Sequence, residues 1–155
     1  MTDYMIMKAR PSHARDILRL CLKAFKEGSE TGEPSSTKMM AYIENHIADD
    51  HQLSLVAIVG GNVRGVVLGE VAEHAFVDGL VASDTVIYVS PSLRGTPACK
   101  ELVQYFAAWC TRIPNLVGSS LGISQLGATT QFLDKVYRDC GYTKSGLTYT
   151  KGHSL

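Results

Sequence analysis

One segment of this sequence, Thr85 to Leu102, combines residue types that could bind a negatively charged ligand. Its residues, TVIYVSPSLRGTPACKEL, predict a strand, a short loop and a helix in direct succession. The first turn of a helix has unpaired backbone N–H groups and the positive end of the helix dipole, which together favour phosphate and other anions. Arg94, just before the helix, adds a full positive charge. An ordinary strand–helix connection with a surface arginine is the alternative interpretation.

Apolar periodicity predicts the elements that must position this segment. Predicted helices run from His13 to Lys26, from an N-cap at Ser36 or Thr37 to about Asp49, from Pro97 to Ile113, and from Ser124 or Gln125 to about Asp139. Predicted strands are Tyr4–Ala9, Leu53–Val59, Val63–Ala72, Asp84–Val89, Leu116–Ile123 and Tyr142–Lys151. The stretches Glu27–Ser36 and His74–Ser83 are predicted loops. Ser12 is the expected N-cap of the first helix, and Thr96 that of the helix beginning at Pro97.

This order of elements predicts one α/β (α+β) domain over residues 1–155. Three successive strands flanked by helices, followed by a β-α-β unit, favour a mixed sheet with helices on both faces. Gly60-Gly61-Asn62 predicts a tight hairpin turn between the second and third strands. Gly65 and Gly69 in the third strand weaken it but permit a close backbone approach.

The composition excludes several classes of protein. The chain has 155 residues, of which 45% are hydrophobic, and 15 basic residues balance 15 acidic ones. A net charge of zero argues against a broad nucleic-acid-binding face. The four cysteines and five histidines show no metal-ligand or redox spacing, so we expect reduced thiols and no metal site. We expect a cytoplasmic protein with no membrane partner, because the sequence shows neither a signal-peptide pattern nor the roughly 20-residue apolar run of a membrane span.

Two short runs, Val89–Gly95 (VSPSLRG) and Val136–Tyr142 (VYRDCGY), carry a resemblance to a known family. The first is similar to the start of V-x-P-x-x-R-G-x-G-x-G or A, the cofactor-loop signature of the GNAT superfamily of acetyl-CoA-dependent N-acetyltransferases. The second resembles the later motif of that family, L-Y-x-K-x-G-F. The two runs occur in the order of the family, and a hairpin precedes the signature strand as it does there. The resemblance implies a mixed, mostly antiparallel central sheet.

The cofactor loop departs from the family pattern at two positions. Pro97 stands where the family usually has glycine, and Cys99 where it has glycine or alanine. Proline has no N–H to donate to a phosphate, and cysteine adds a side chain where the backbone must approach the ligand closely. Ala98 resembles a phage-encoded variant of the family with a loosened loop. Thr130 replaces the asparagine that is usual on the last helix.

The resemblance implies acetyl-CoA as the acyl donor and a place for each part of it. The pyrophosphate is expected on Arg94 and on the N–H groups of Gly95, Thr96, Ala98 and Cys99. The pantetheine arm is expected beside the strand that ends at Tyr88 and Val89, paired like an additional strand. The thioester then lies between the strands Asp84–Val89 and Leu116–Ile123, where an amine attacks it directly.

The same resemblance implies candidate acid and base residues. Tyr137 matches the tyrosine of the family that reprotonates the departing CoA thiolate. A phenol with a pKa of about 10 is close enough to a thiol for this transfer. Packing of Tyr137 in the core, with its hydroxyl bonded locally, is the alternative. Glu70, Glu73 and Asp84 are candidate bases for the amine, unless they are plain surface charges and a water chain serves instead.

The acceptor implied by the resemblance is a primary amine of a small molecule or a protein. The first two helices, the loop Glu27–Ser36 and the C-terminal strands would form its pocket. Glu27, Glu30 and Glu33 either attract a cationic amine there or are simply solvated. The oligomeric state, a homodimer included, is left open.

A catalytically inactive GNAT-like domain, used as a binding or structural module as in some phage virions, is the alternative function. Pro97 and Cys99 favour it, because both alter the phosphate-binding turn. An open cleft beside Arg94 would favour the enzyme, and a cleft filled by side chains would favour the module.

Overall fold

Alternating apolar residues form one five-stranded sheet in the computed structural model, which describes residues 2–28, 30–124 and 128–153. The strands are β1 (Met5–Lys8), β2 (Leu53–Val59), β3 (Asn62–Glu73), β4 (Leu80–Val89) and β5 (Leu116–Ser120). They lie in chain order across the sheet. The pairs from β1 to β4 are antiparallel, whereas β5 is parallel to β4. The expected mixed, mostly antiparallel sheet is therefore confirmed.

In the described residues, four α-helices cover the two faces of the sheet, as expected: α1 (Ala14–Glu27), α2 (Ser36–Ala48), α3 (Ala98–Cys110) and α4 (Ala128–Asp139). Side chains of β3 alternate between the two faces and so contribute to two cores. Val66 and Leu68 pack with α1 and α2, whereas Val67 packs with α3 and α4. No helix in the described ranges is long and apolar enough to cross a membrane.

The close approach expected at Gly65 and Gly69 is present, because α3 lies directly against β3 at both. A Cβ atom on Gly69 would lie 3.1 Å from Cε2 of Phe106, and one on Gly65 would lie 3.3 Å from Cδ1 of Leu102. α3 is thereby held firmly on the sheet, which fixes the start of that helix relative to β4.

β4 and β5 pair over only part of their lengths, and this separation creates the candidate site. Their register runs from Leu80–Leu116 to Ser83–Ser120, whereas β4 continues to Val89. Gly69 of β3 lies opposite Asp84 and Leu68 lies opposite Val86, so Thr85 is an extra residue in a β-bulge. Within the described part of the chain, residues 84–89 consequently have a strand on one side only.

Several predicted boundaries differ from the structure. β4 begins at Leu80, so the last four residues of the loop expected over His74–Ser83 belong to a strand that pairs with both β3 and β5. α1 begins after a 3-10 turn, Pro11–His13, rather than at a Ser12 cap. α3 begins at Ala98 with Pro97 as its N-cap, one residue later than expected.

The last two predicted elements also change. α4 begins at Ala128, so the helix start expected at Ser124 is wrong, and the alternative start at Gln125 lies outside the described residues. The strand expected over Tyr142–Lys151 is wrong as well, because these residues have no regular structure. Leu147 and Tyr149 are 70% and 90% exposed, so the segment buries no apolar face that would hold it as a strand.

Gly79 fixes where β4 begins and how β5 lies beside it, which makes it a sensitive position. Its φ of 143° is unfavourable for other residues, and a Cβ atom there would lie 2.8 Å from the carbonyl oxygen of Asn115. We expect Gly79→Ala to lower the free energy of unfolding by about 1–3 kcal/mol, measured by denaturant titration. Gly146→Ala is the matched control, because a Cβ atom at Gly146 meets nothing. Equal stability of the two variants would contradict this account of Gly79.

Candidate active site

In the turn between β4 and α3, some backbone N–H groups donate hydrogen bonds within the turn, and others have no acceptor among the described residues. Thr96 donates its N–H to the carbonyl of Leu93 at 3.1 Å, and Ala98 donates to Oγ1 of Thr96 at 3.3 Å. The N–H groups of Gly95 and Cys99 have no acceptor among the residues that the structure describes. A Cβ atom on Gly95 would also meet nothing within 4 Å, so the space beside it is open. Two of the four expected donors are therefore available to a ligand, and two maintain the turn.

The two departures from the family pattern have different effects on this turn. Pro97 supplies no N–H, but its carbonyl accepts the N–H of Glu101 at 3.0 Å, so the helix still begins normally. The side chain of Cys99 is only 1% exposed and packs in the core with α4. Burial raises the pKa of its thiol to about 12. Cys99 consequently keeps its N–H at the turn while its side chain occupies the interior.

Arg94 is held by three groups in the free protein. Its Nη2 lies 2.6 Å from Oε2 of Glu27, and its Nε donates to the carbonyl of Val89 at 3.2 Å. The guanidinium also lies 5.5 Å from the ring centre of Tyr88, in a cation–π contact. The positive charge at the turn is therefore paired with a carboxylate from the end of α1.

Glu27 and Tyr88 complete this cluster. The Tyr88 hydroxyl donates to Oε1 of Glu27 at 2.7 Å. Burial pushes the pKa of Glu27 upward, but the hydrogen bonds from Tyr88 and Arg94 outweigh burial, so the pKa lies below its usual value. Burial, followed by the bond to Glu27, raises the pKa of Tyr88 to about 12. At neutral pH the cluster thus consists of a carboxylate, a neutral phenol and a guanidinium.

On the side of β4 that faces the gap left by β5, the Val89 carbonyl accepts the bond from Arg94, and the described residues provide no strand to pair with the other backbone groups. The N–H of Ser90 donates to the carbonyl of Arg64 on β3 at 2.7 Å. Because backbone groups of successive strand residues point in opposite directions, those of Tyr88 also face β3, while those of Ile87 and Val89 face the gap. Tyr88 therefore contributes to the site through its side chain, and Val89 through its backbone.

The gap is nearly filled beside Arg94 and open farther along. Beside Arg94 a space of about 10 Å³ remains, because Thr129, Phe132 and Leu133 of α4 line it together with the end of β4. The adjoining cleft has a volume of about 2190 Å³, with residues 84–87 of β4 in its wall. The structure thus combines the two states that the sequence left open, a filled part beside Arg94 and an open cleft next to it.

Tyr137 and Asp84 meet in the cleft at the peptide groups of Gly122. The Tyr137 hydroxyl donates to the carbonyl of Gly122 at 2.9 Å, and the N–H of Gly122 donates to Oδ1 of Asp84 at 2.8 Å. Burial, followed by the charge of Asp84, raises the pKa of Tyr137 well above its ordinary value, so the phenol keeps its proton at neutral pH. Burial also raises the pKa of Asp84, against the bond from Gly122. Tyr137 is both buried in the core and lining the cleft, so its two interpretations are compatible.

The other two candidate bases lie in different surroundings. Glu70 accepts a hydrogen bond from the hydroxyl of Tyr42 on α2. The same hydroxyl lies 2.8 Å from Oγ1 of Thr85, the extra residue in the bulge of β4. Glu73 is exposed at the end of β3 and lies outside the cleft wall formed by the described residues.

Three features of the site were not identified from the sequence. They are the hydrogen bond from Tyr42 to Glu70, the ion pair of Glu27 with Arg94, and the two hydrogen bonds that Gly122 makes with Asp84 and Tyr137. Glu27 and Arg94 are 67 positions apart, and Tyr42 and Glu70 are 28 apart, so no local pattern connects them. The sequence does indicate that Tyr42 faces the interior, because it follows Met39 at helical spacing and so lies near the apolar face of α2.

The loop Glu27–Ser36 and the side chains that could bind a metal contribute little to the site. Glu30 lines the cleft, whereas Glu33 is exposed. Among residues 2–28, 30–124 and 128–153, no group of histidine, cysteine or carboxylate side chains could hold a metal ion.

Comparison with solved structures identifies the same architecture in acetyltransferases. A possible acetyltransferase from Clostridium difficile 630 matches with a TM-score of 0.73 at 16% identity, covering 98% of both chains. AAC(6')-Iy, in complex with the bisubstrate analogue CoA-S-monomethyl-acetylneamine, matches with a TM-score of 0.72 at 21% identity, covering 97% of this chain and 99% of its own. Glucosamine-6-phosphate N-acetyltransferase from Arabidopsis thaliana matches with a TM-score of 0.72 at 15% identity, covering 96% and 97%. At these identities the likeness establishes the fold.

The sequence itself establishes the family. No curated protein matches it, but the model of the acetyltransferase (GNAT) family matches residues 15–142. That span contains the β4–α3 turn, the cleft residues of β4 and Tyr137. Members of this family are N-acetyltransferases that take the acetyl group from acetyl-CoA. The chain belongs to the GNAT acetyltransferase family.

Proposed function

We propose that this chain transfers the acetyl group of acetyl-CoA to a primary amine of a small molecule or a protein, by direct attack in the cleft between β4 and β5. The observation that carries the proposal is the separation of the two strands after Ser83. In the described part of the chain, the edge of β4 after Ser83 has no neighbouring strand on this side, and it runs from the open cleft to the β4–α3 turn. A long donor with a phosphate group at one end and a thioester at the other suits this arrangement.

The residues at the turn fit the phosphate end of acetyl-CoA. In our proposal the N–H groups of Gly95 and Cys99, which are free in the described structure, hold the pyrophosphate together with Arg94. Thr96 and Ala98 shape the turn through their bonds to Leu93 and to each other. This support is weaker than in a glycine-rich turn, because Pro97 contributes no donor.

The edge of β4 fits the pantetheine arm. Ile87 and Val89 would pair with its amides as a further strand does. The space beside Arg94, about 10 Å³, is too small for the arm, so α4 must shift away from β4 when the donor binds. Side chains of Phe132 and Leu133 are the ones that must give way.

The cysteines of this protein favour direct attack by the amine over a route through an acetyl-cysteine intermediate. A nucleophilic cysteine needs a lowered pKa, because the thiolate is the reactive form. Burial instead raises the pKa of Cys21, which lines the cleft, to about 11 and that of Cys99 to about 12. In our proposal Tyr137 then protonates the departing thiolate. Burial keeps this phenol protonated at neutral pH but also raises its pKa above that of a thiol, so the position of Tyr137 in the cleft, and not a match of pKa values, supports this role. Asp84 fixes Gly122, and through it the position of the Tyr137 hydroxyl.

The proposed reaction is tested by the release of free CoA thiol from acetyl-CoA in the presence of single amines. The amines should include benzylamine, glucosamine 6-phosphate, an aminoglycoside and a peptide with a free amino group. We expect release above the acetyl-CoA hydrolysis blank with at least one amine, and a product mass increased by one acetyl group. Release at the blank rate with every amine would count against the transferase.

A second candidate, a module that does not bind acetyl-CoA, is favoured by one observation. Beside Arg94 the gap is nearly filled, and Glu27 already neutralises the arginine. The two candidates differ in donor binding, which the module lacks.

We also propose a cytoplasmic location. The four cysteines are free, and three of them are buried. Reduced thiols are typical of proteins kept in a reducing compartment.

If Glu27 competes with the pyrophosphate for Arg94, its charge must weaken donor binding. We expect Glu27→Gln to bind acetyl-CoA about fivefold more tightly, because a half-exposed ion pair is worth up to about 1 kcal/mol. Isothermal titration at low salt measures the dissociation constant, and the gain should shrink as salt screens the charges. Glu44→Gln, an exposed change on α2, should leave the affinity unaltered. Weaker binding by Glu27→Gln would contradict the competition.

A further inference from the structure

Glu70 is the candidate base that is bonded to a side chain of the cleft wall, Tyr42, yet it does not itself border the cleft. The cleft wall contains Tyr42 and Thr85, and among the described residues Glu70 is not part of it. The Tyr42 hydroxyl lies between Glu70 and the cleft, since it donates to Oε1 of Glu70 and is 2.8 Å from Oγ1 of Thr85 in the cleft wall. An amine in the cleft therefore reaches Tyr42 before it can reach Glu70.

Local structure holds Tyr42 in this position. Ser35 caps α2, accepting the N–H of Lys38 at 3.3 Å, and Ile43 next to Tyr42 is buried in the core. On the sheet side, the bulge makes Thr85 the extra residue of β4. Bulges redirect side chains next to functional sites, and this one brings the Thr85 hydroxyl to Tyr42.

The chemistry of the pair allows a proton to pass through it. A phenol that donates its hydrogen to a carboxylate still has a lone pair with which to accept another. Burial, followed by the bond to Glu70, raises the pKa of Tyr42 to about 12. The hydroxyl therefore stays protonated, and it can pass on a proton only by accepting another. The other titratable groups that face Tyr42 are Cys21 from α1 and His46, whose ring centre is 5.5 Å away on α2 itself.

We propose that Tyr42 receives the ammonium group of the acceptor and passes one of its protons to Glu70; the inference rests on the proposed transferase function. An N–H bond of the ammonium breaks, and its proton forms an O–H bond on Tyr42. The proton that Tyr42 held forms an O–H bond on Glu70. The electron pair of the broken N–H bond stays on nitrogen and attacks the thioester carbonyl. Tyr42 is thus a catalytic residue that touches the amine, and Glu70 is the base behind it.

The wall around Tyr42 indicates which amines suit this relay. Phe25, Met39 and Ile43 line the same cleft, so the part of the acceptor nearest its nitrogen faces apolar side chains. A primary alkylamine with an apolar body, such as benzylamine, matches this wall. Such amines are protonated at neutral pH and need a base.

The relay is tested by the pH dependence of Tyr42→Phe with the fastest amine from the thiol-release experiment. We expect kcat/KM at neutral pH to fall about tenfold, because acid–base steps of this kind carry at least that much. The deficit should disappear above about pH 10, where the amine is already neutral and needs no base. It should also be absent at neutral pH with 2,2,2-trifluoroethylamine, a weak base that is largely unprotonated there.

Controls separate the relay from structural effects and from the function itself. Tyr105→Phe removes an exposed hydroxyl on α3, and it should leave the profile unchanged. A deficit of Tyr42→Phe that is equal at every pH would mean that Tyr42 only supports the fold, and would overturn the relay. An unaltered rate would overturn it too. If the wild-type protein released no thiol with any amine, the transferase and the relay would both fail, whereas an active wild-type protein with an unaffected Tyr42→Phe refutes the relay alone.

Discussion

Arg94→Ala is expected to weaken acetyl-CoA binding by about 10- to 100-fold, since a hydrogen bond to a charged group is worth about 1.5–3 kcal/mol. Arg94 is the positive side chain at a turn where the N–H groups of Gly95 and Cys99 have no acceptor among the described residues. Its removal also leaves the charge of Glu27 unpaired near the pyrophosphate. The dissociation constant is measured by isothermal titration. Arg94→Lys should give an intermediate loss, because it keeps the charge but not the planar fork.

Two comparisons sharpen this prediction. The double variant Arg94→Ala with Glu27→Gln should bind more tightly than Arg94→Ala alone, because the unpaired carboxylate is gone. Arg112→Ala removes an exposed arginine just beyond the opposite end of α3 and should bind normally. If Arg94→Ala and Arg112→Ala bound acetyl-CoA equally well, the turn would not be the phosphate site.

Tyr137→Phe is expected to lower kcat by about 100-fold while the dissociation constant for acetyl-CoA changes less than about twofold. The hydroxyl is lost from the point where β4 and β5 separate, but no group of the phosphate-binding turn is altered. The lost bond to Gly122, 2.9 Å long, should cost about 1 kcal/mol of stability, which thermal unfolding would detect as a small fall in Tm. Steady-state thiol release gives kcat, and titration gives the affinity.

Tyr142→Phe is the matched control for this variant. Tyr142 lines the same cleft, but its hydroxyl lies 3.4 Å from Oγ of Ser119 rather than at Gly122. We expect it to retain nearly the full rate. A Tyr137→Phe protein with wild-type kcat would refute the acid role and leave Tyr137 as a core residue.

The fold was predictable where the pattern is local. Pro97 and the apolar repeat after it were enough to place the start of α3 within one residue, although the helix ends at Cys110 rather than at Ile113. Gly60-Gly61 were enough to place the β2–β3 hairpin. The start of β4 was missed because Leu80, Val81 and Ala82 form only a short apolar run between Gly79 and Ser83, and so short a run shows no periodicity that distinguishes a strand from a loop. The C-terminal strand was predicted wrongly because β propensity does not by itself supply a face to bury.

The candidate site was predictable only in part, for a similar reason. The turn and Tyr137 followed from motifs that are contiguous in the chain. The contacts that set their chemistry join distant segments, as when Glu27 reaches Arg94 across 67 positions. Whether an acidic residue is a solvated charge, a competitor for a phosphate or a base depends on such contacts. Glu70 and Glu73 illustrate this, since three positions separate a carboxylate bonded to Tyr42 from one exposed at the end of a strand.

The account rests above all on the binding of acetyl-CoA to the β4–α3 turn despite Pro97 and Cys99. Isothermal titration of the wild-type protein with acetyl-CoA tests this most directly. We predict one saturable site per chain, displaced by free CoA and weakened by Arg94→Ala. No saturable heat at millimolar acetyl-CoA would contradict it and leave the chain as a member of the family that has lost its donor.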